Sequence, residues 1–235
     1  MKILIACEES QRVCTAFRKK GHEAYSCDIE QQSGGRPEWH IKGDVLKIIN
    51  GKCKFITEDG AEHKIGQNWD MIIAHPPCTY LTTCANRSYS LRMNSAEKVL
   101  KRYIERDKAV RLFVNIANAQ CEKIAIENPQ GYMNTHYRKP DQIIHPYYFA
   151  ESENDKENYH QKKTCLWLKN LPKLERKIIL PKPKPMYISN GTKTKGRHVG
   201  WCEGMRNIKG GQKERAKARS KTFYGIANAM AEQWG

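Results

Sequence analysis

Two residues of this chain stand where reactive side chains are useful. Cys78 follows Pro76 and Pro77 after an apolar run, in the segment Asp70-Met71-Ile72-Ile73-Ala74-His75-Pro76-Pro77-Cys78. Proline fixes its own φ and restricts its predecessor, so this turn is stiff. A thiol on such a turn is placed to act as a nucleophile; by local sequence alone it reads equally as a packed cysteine. Glu127 shifts the balance. It ends the apolar run from Lys123, and Asn128-Pro129 stops a helix from following. A thiol and a carboxyl on two strand-end loops can act on one heteroaromatic ring. The sulfur adds to an electrophilic carbon while the carboxyl hydrogen-bonds or protonates a ring nitrogen.

A second set of polar residues follows the earlier apolar runs: Glu8-Glu9, Asp28 and Gly43-Asp44. Ligands of open parallel sheets sit beyond the carboxyl ends of the strands. The first of these loops reads Ala6-Cys7-Glu8-Glu9-Ser10-Gln11, with no G-x-G-x-x-G fingerprint, and no G-K-[ST] stands in a P-loop setting. A dinucleotide held by its pyrophosphate is therefore disfavoured. Singly, Asp28 and Asp44 read as helix caps or loop residues. Together, at successive strand ends, they favour a nucleoside site, with Asp28 for ribose hydroxyls and Asp44 for a base amino group.

The elements that must hold these groups are legible as a rhythm. Residues 2–7 form a short branched apolar run, a buried strand. Residues 10–20 predict a helix, with Ser10 as cap and Gly21 as stop. Residues 23–27 and 40–44 predict two more strands, and 45–49 a helical turn. Residues 52–65 alternate around Asp59-Gly60, a hairpin signal. Residues 69–74 form the next strand. Residues 95–120 form a long amphipathic helix, with Val99, Tyr103, Val110, Phe113, Val114 and Ala117 toward the core. Residues 123–127 and 163–169 are further strands, and 212–233 are helical. Strands alternating with helices predict an α/β fold with a mostly parallel sheet.

At 235 residues the chain buries roughly 70% or more of its unfolded surface and needs no disulfide or metal to fold. Nine cysteines, an odd number without C-x-x-C spacing, argue against a disulfide framework or zinc site. No apolar run approaches the ~20 residues of a membrane span. The opening strand runs into two glutamates, unlike a signal peptide; a cytoplasmic monomer is expected. The net charge is +16, and residues 162–221 alone carry 18 basic and 3 acidic side chains. A near-neutral body with one basic region reads as a polyanion-binding surface. Trp167, Tyr187, Trp201, Phe223 and Tyr224 interleave the charges, which favours nucleic acid over a merely solvated tail. Lys193, Lys195, Arg197, Arg206, Lys209, Lys213 and Arg215 are the expected DNA contacts.

Taken in order, these segments resemble the DNA methyltransferases that act on C5 of cytosine and use S-adenosylmethionine, specifically their compact phage and prophage branch. The resemblance spans nearly the whole chain. The Pro76-Pro77-Cys78 segment is similar to the family's nucleophile motif, which implies Cys78 as nucleophile with Pro77 beside it. Glu127-Asn128-Pro129 resembles E-N-V and implies Glu127 as partner of the cytosine ring. Asp28, with Ile29, matches the ribose-binding acid, and Gly43-Asp44-Val45 the G-D-[IV] turn that binds adenine. Gln161-Lys162-Lys163-Thr164-Cys165 partly echoes Q-x-R-x-R, with Lys163 at its first arginine. Tyr224-Gly225-Ile226-Ala227-Asn228-Ala229 partly echoes G-N-[AS]-V, with Asn228 near the cofactor. The first motif, F-x-G-x-G-G in the family, is here the glycine-free Cys7, Glu8, Glu9 and Ser10, expected with Pro76 to line the cofactor.

The resemblance implies a Rossmann-like methyltransferase domain over residues 1–169, a small basic DNA-binding module over 170–222, and a helix over 223–235 returning to the catalytic domain. Three rival functions fit the residues less well. A zinc deaminase needs P-C-x-x-C and H-x-E, and neither is present. An amino-methyltransferase uses [DNS]-P-P-[YFW], which His75-Pro76-Pro77-Cys78 does not match and which leaves Glu127 idle. A non-catalytic DNA-binding decoy fits the altered first motif but not the retention of both Cys78 and Glu127.

Overall fold

The computed structural model describes residues 1–184, 186–188, 197–199 and 211–235. Its frame is a seven-stranded mixed sheet in the order β3-β2-β1-β6-β7-β9-β8. The strands are β1 (Lys2–Ala6), β2 (Glu23–Asp28), β3 (His40–Lys42), β6 (Met71–Ala74), β7 (Lys123–Pro129), β8 (Gln142–Ile144) and β9 (Thr164–Lys169). The first five in chain order run parallel; β9 is antiparallel to both β7 and β8. The architecture is α/β, compatible with a Rossmann-like fold.

The central strands are apolar at nearly every position because both faces are covered. On one face Leu4, Ile72, Ile124, Ile126 and Trp167 pack with Phe113 and Ile116 of α2 (Ala96–Ala117). On the other, Ile3, Ile5, Ile73, Ala125 and Leu166 pack with Val13 and Phe17 of α1 (Arg12–Lys19) and with Ile226, Met230 and Trp234 of the last helix, Tyr224–Trp234. The C-terminal segment is thus part of the main core. A hairpin of β4 (Cys53–Ile56) and β5 (Glu62–Ile65) covers Trp69 through Phe55. The remaining elements are α3 (Met133–His136), the antiparallel pair β10 (Met186–Ile188) and β11 (Arg197–Val199), α4 (Gly211–Ser220), and the last helix, α5.

The chain winds outward from β1 through β2 to β3, then returns to the other side of β1 with β6 and β7. The winding reverses between β1 and β6, and in open sheets of this kind ligands bind beyond the carboxyl ends of the strands at such a point. Every strand-end residue singled out from sequence lies along that edge.

Several local expectations are corrected. Ser10 does not cap α1. The helix starts at Arg12, and Gln11 before it makes no side-chain cap. Tyr103 is half exposed rather than in the core, because α2 buries only the stripe through Val99, Phe113 and Ile116. Strand β7 does not stop at Glu127. Asn128 and Pro129 pair with Cys165 and Thr164 of β9, which reaches past the end of β6 and extends the ladder. The short strand β8 was not anticipated. Among the described residues no helix is long and apolar enough to cross a membrane.

Candidate active site

The loop after β1 makes a glycine-type turn without glycine. Cys7 and Gln11 both adopt left-handed backbone, φ 59° and 56°. Each such residue costs on the order of 1–2 kcal/mol and persists only where its surroundings over-determine it. Here they do. The fully buried Gln11 side chain accepts from the Arg36 N–H (3.1 Å) and donates to the Arg36 carbonyl (2.8 Å). Glu8, also buried, accepts from the backbone N–H groups of Val13 (2.7 Å) and Cys14 (3.1 Å). Its carboxylate therefore supplies the cap that Ser10 was expected to supply. Burial pushes the Glu8 carboxyl up, against the lowering influence of His75 and these two N–H bonds.

Beyond β2, Asp28 Oδ1 accepts from the Glu30 N–H (2.9 Å); burial raises this carboxyl above the usual range. Ile29 is exposed. Beyond β3, Asp44 Oδ1 accepts from the Leu46 N–H (3.0 Å) and caps the short helical turn Val45–Lys47, in which Val45 is buried. Burial, reinforced by Asp28 and Asp44, pushes the Cys7 thiol far up and the Cys27 thiol up to about 12. Burial thus disfavours the thiolate at both positions. Cys14, Cys121 and Cys165 are buried, and the described cysteines form no disulfide.

Across the switch point the polar groups meet one another. Pro76 is buried, Pro77 exposed and Cys78 half-buried. The Cys78 carbonyl accepts from the N–H groups of Leu81 (2.9 Å) and Thr82 (3.0 Å), closing the turn. On the adjacent strand, Asn128 Nδ2 donates to the Pro76 carbonyl (2.8 Å). Glu127 Oε2 lies 3.2 Å from His75 Nδ1, with both side chains nearly buried. Burial pulls the Glu127 carboxyl up, but the His75 hydrogen bond and the Lys162 and His75 charges prevail and hold it below its ordinary value.

The loops that follow the two strands are zipped together. Thr83 donates its N–H to the Gln130 carbonyl (3.2 Å), Tyr132 donates to the Leu81 carbonyl (2.6 Å), and Thr82 bridges to Gly131. Gly131 is required at this crossing, since a Cβ there would lie 2.0 Å from the Leu81 carbonyl oxygen. From α2, Arg106 donates to the Tyr80 carbonyl (3.3 Å) and stacks on Tyr89 at 3.4 Å and Tyr132 at 4.5 Å. The Cys78 turn is thereby fixed to the Glu127 strand at both ends.

No protein-family model matches this sequence, and no curated protein matches it.

The structure brings Cys78, Pro76, Pro77 and Glu127 onto adjacent strand ends, and Cys7, Glu8, Glu9, Ser10, Asp28 and Asp44 along the neighbouring ones. Lys163 is exposed, and its charge acts on His145 and Cys165. The lysine whose charge reaches Glu127 is Lys162. Leu166 sits opposite Glu127 in the ladder, so strand alternation puts even-numbered residues on the Glu127 side. Asn228 is exposed on α5. Arg197 lies in β11 and Lys213 in α4, while Arg215 of α4 is half-buried. Lys193, Lys195, Arg206 and Lys209 lie outside the described residues. The basic helix α4 nevertheless meets this edge. Lys217 lies 4.0 Å from Glu9, the Arg219 carbonyl accepts from Lys162 (3.1 Å), and Thr222 lies 3.4 Å from His75. Sequence reasoning assigned no site role to His75, Gly131, Lys162 or Thr222, and gave Asn128 only as a helix stop within the E-N-V-like segment. For His75 the signal was available, a histidine directly before a stiff Pro-Pro-Cys turn.

Proposed function

We propose that this protein is a DNA cytosine-5 methyltransferase that uses S-adenosylmethionine. One observation carries the reading. Cys78 and Glu127, a nucleophile and a carboxyl, stand at the carboxyl ends of the adjacent parallel strands β6 and β7, next to the switch point, and are locked by Asn128, Gly131 and His75. That pairing is what addition of sulfur to a pyrimidine ring needs. The cofactor supplies an electrophilic methyl group.

The residues along β1, β2 and β3 fit such a cofactor. Glu9 Oε1 is buried with no partner among the described residues. Asp28 and Asp44 each commit Oδ1 to a backbone N–H, and their second oxygens suit the ribose hydroxyls and the adenine amino group. A buried unpartnered acceptor beside two half-committed carboxylates calls for hydroxyl and amine donors.

The chemistry follows from the pairing. C5 of cytosine is a poor nucleophile in the intact ring. Flipped from the stack, the base meets the Cys78 thiolate at C6 and Glu127 at N3. Addition of sulfur to C6 and protonation of N3 turn C5 into an enamine-like carbon that takes the methyl group. Loss of the C5 proton then expels the thiolate and restores the ring. Basic α4 over the edge, together with Lys163, Arg176 and Lys182 around His145, supports a polyanionic substrate, DNA.

The test is transfer of a labelled methyl group from S-adenosylmethionine to DNA, followed by bisulfite sequencing. Protected cytosines are expected. Methyl groups on exocyclic amines would instead favour an amino-methyltransferase, and DNA binding without transfer would favour a decoy.

A further inference from the structure

Three cations from three segments gather around His145. Ile144 pairs with Thr164 in the β8–β9 ladder, so His145 and Lys163 are the next residues along it. The Tyr147 N–H donates to the His160 carbonyl (3.2 Å), which lays the approach to β9 beside this turn. That approach in turn holds Lys182. The Tyr159 hydroxyl donates to the Pro181 carbonyl (2.9 Å) and Gln161 Nε2 to the Pro183 carbonyl, so Lys182 stands between two tied prolines. Arg176 stacks on Tyr148, 3.1 Å from the ring centroid, and that ring lies 5.4 Å from His145. Glu153 stands at the rim, 3.3 Å from the Tyr159 hydroxyl.

Lys163, Arg176 and Lys182 are all exposed, and none has an ion pair or side-chain hydrogen bond among the described residues. The neighbouring Lys177 does find a carboxylate, Glu232, at 2.5 Å. Burial and then the charges of Lys163, Lys182 and Arg176 lower the proton affinity of His145. Like charges repel, and an anion seated among the three relieves that repulsion. A guanidinium presents a planar fork to phosphate oxygens, and an ammonium a compact point charge. Stacking on Tyr148 fixes the plane of the fork, and the prolines fix the backbone of Lys182, so less freedom is lost on binding. The cations lie on an open surface within the basic region of residues 162–221. That suits a strand running across them better than a small anion, which needs enclosure.

Resting on the methyltransferase reading above, we propose that Lys163, Arg176 and Lys182 form a site for backbone phosphate of the DNA substrate, distinct from the catalytic pair. The site fixes the position of the duplex and reads no bases. Lys163 is then a phosphate contact, while Lys162 beside it is the lysine whose charge reaches Glu127.

The test is the salt dependence of binding to a short DNA duplex, read by fluorescence anisotropy on the whole protein. Lys163→Gln, Arg176→Gln and Lys182→Gln should each weaken binding by a similar factor on any duplex sequence. Each should also lower the log–log salt slope by about 0.9. Lys54→Gln makes the same charge change at an exposed position of the β4–β5 hairpin and should leave the slope unchanged. Methyl transfer at saturating DNA should stay within about twofold of wild type, since none of the three touches the reacting ring. Lys163→Arg and Lys182→Arg, which keep the charge, should keep the slope. Unchanged slopes in the three Gln variants overturn the site, even if the wild type methylates DNA. An equal loss in Lys54→Gln reduces the effect to net charge and overturns it as well. Calorimetry with inorganic phosphate and with a nucleoside monophosphate separates the other source. Tight binding of either, lost in the triple variant while the DNA slope stays unchanged, assigns the site to a free phosphate ligand and overturns the DNA assignment. Slopes that fall as expected in a protein that transfers no methyl group uphold the site and contradict the methyltransferase reading.

Discussion

The two halves of the strand-end edge use polar side chains differently. Along β1, β2 and β3, Glu8, Asp28 and Asp44 turn to backbone N–H groups of their own loops and act as caps. Along β6 and β7, His75, Glu127 and Asn128 turn to one another's strands, and His75 Nε2 and Asn128 Oδ1 remain buried without partners among the described residues. A polar group satisfied by its own loop stabilises that loop. One held across strands ties two loops to each other. Under the proposed function, the first half shapes the cofactor cradle and the second holds the reactive pair.

That contrast can be broken in steps. Glu127→Gln should lower the methyl-transfer rate about 10³-fold with cofactor affinity unchanged, since it removes the carboxylate that holds a proton at N3 in the transition state. It also carries a pH signature. The Glu127 carboxyl is held below its ordinary value, so it stabilises the fold above the usual carboxylate range, and this contribution is lost as pH falls through the depressed value. The stability gap between wild type and Glu127→Gln should close on acidification, as urea titrations at several pH values would read.

Gly131→Ala acts on the same half at a distance. Its Cβ meets the Leu81 carbonyl oxygen, so the two loops must part, and a misplacement near 1 Å costs about 100-fold in rate. Single-turnover kinetics should show this with cofactor binding intact.

In the cradle half, Asp28→Ala and Asp44→Ala should each weaken S-adenosylhomocysteine binding about tenfold in calorimetry, the worth of a hydrogen bond to a charged group. Rates at saturating cofactor should change little. Glu8→Ala should act on stability alone. Uncapping α1 costs about 1–2 kcal/mol, read as a lower denaturation midpoint.

The same contrast explains what was legible in the sequence. The apolar runs of β1, β6 and β7, the Asp59-Gly60 hairpin and the long amphipathic helix α2 are local patterns, and local patterns survive folding. The association of Cys78 with Glu127 was also legible, because consecutive βαβ strands lie side by side. What escaped depends on partners far along the chain. The reversed direction of β9 is not written in its own residues. Choosing Lys162 over Lys163 requires the ladder register, and one residue of register exchanges the faces of a strand. Glu8 rather than Ser10 caps α1 because Gln11 is committed to Arg36, a contact across the loop.

The most direct measurement is covalent trapping. DNA carrying 5-fluorocytosine is incubated with the protein and S-adenosylmethionine, and the adduct is digested and mapped by mass spectrometry. Fluorine at C5 does not leave as a proton does, so the S–C6 bond persists. The account predicts one cofactor-dependent adduct, on Cys78, abolished by Cys78→Ser. No adduct, or an adduct on the exposed Cys84 six residues further along the same loop, would contradict it.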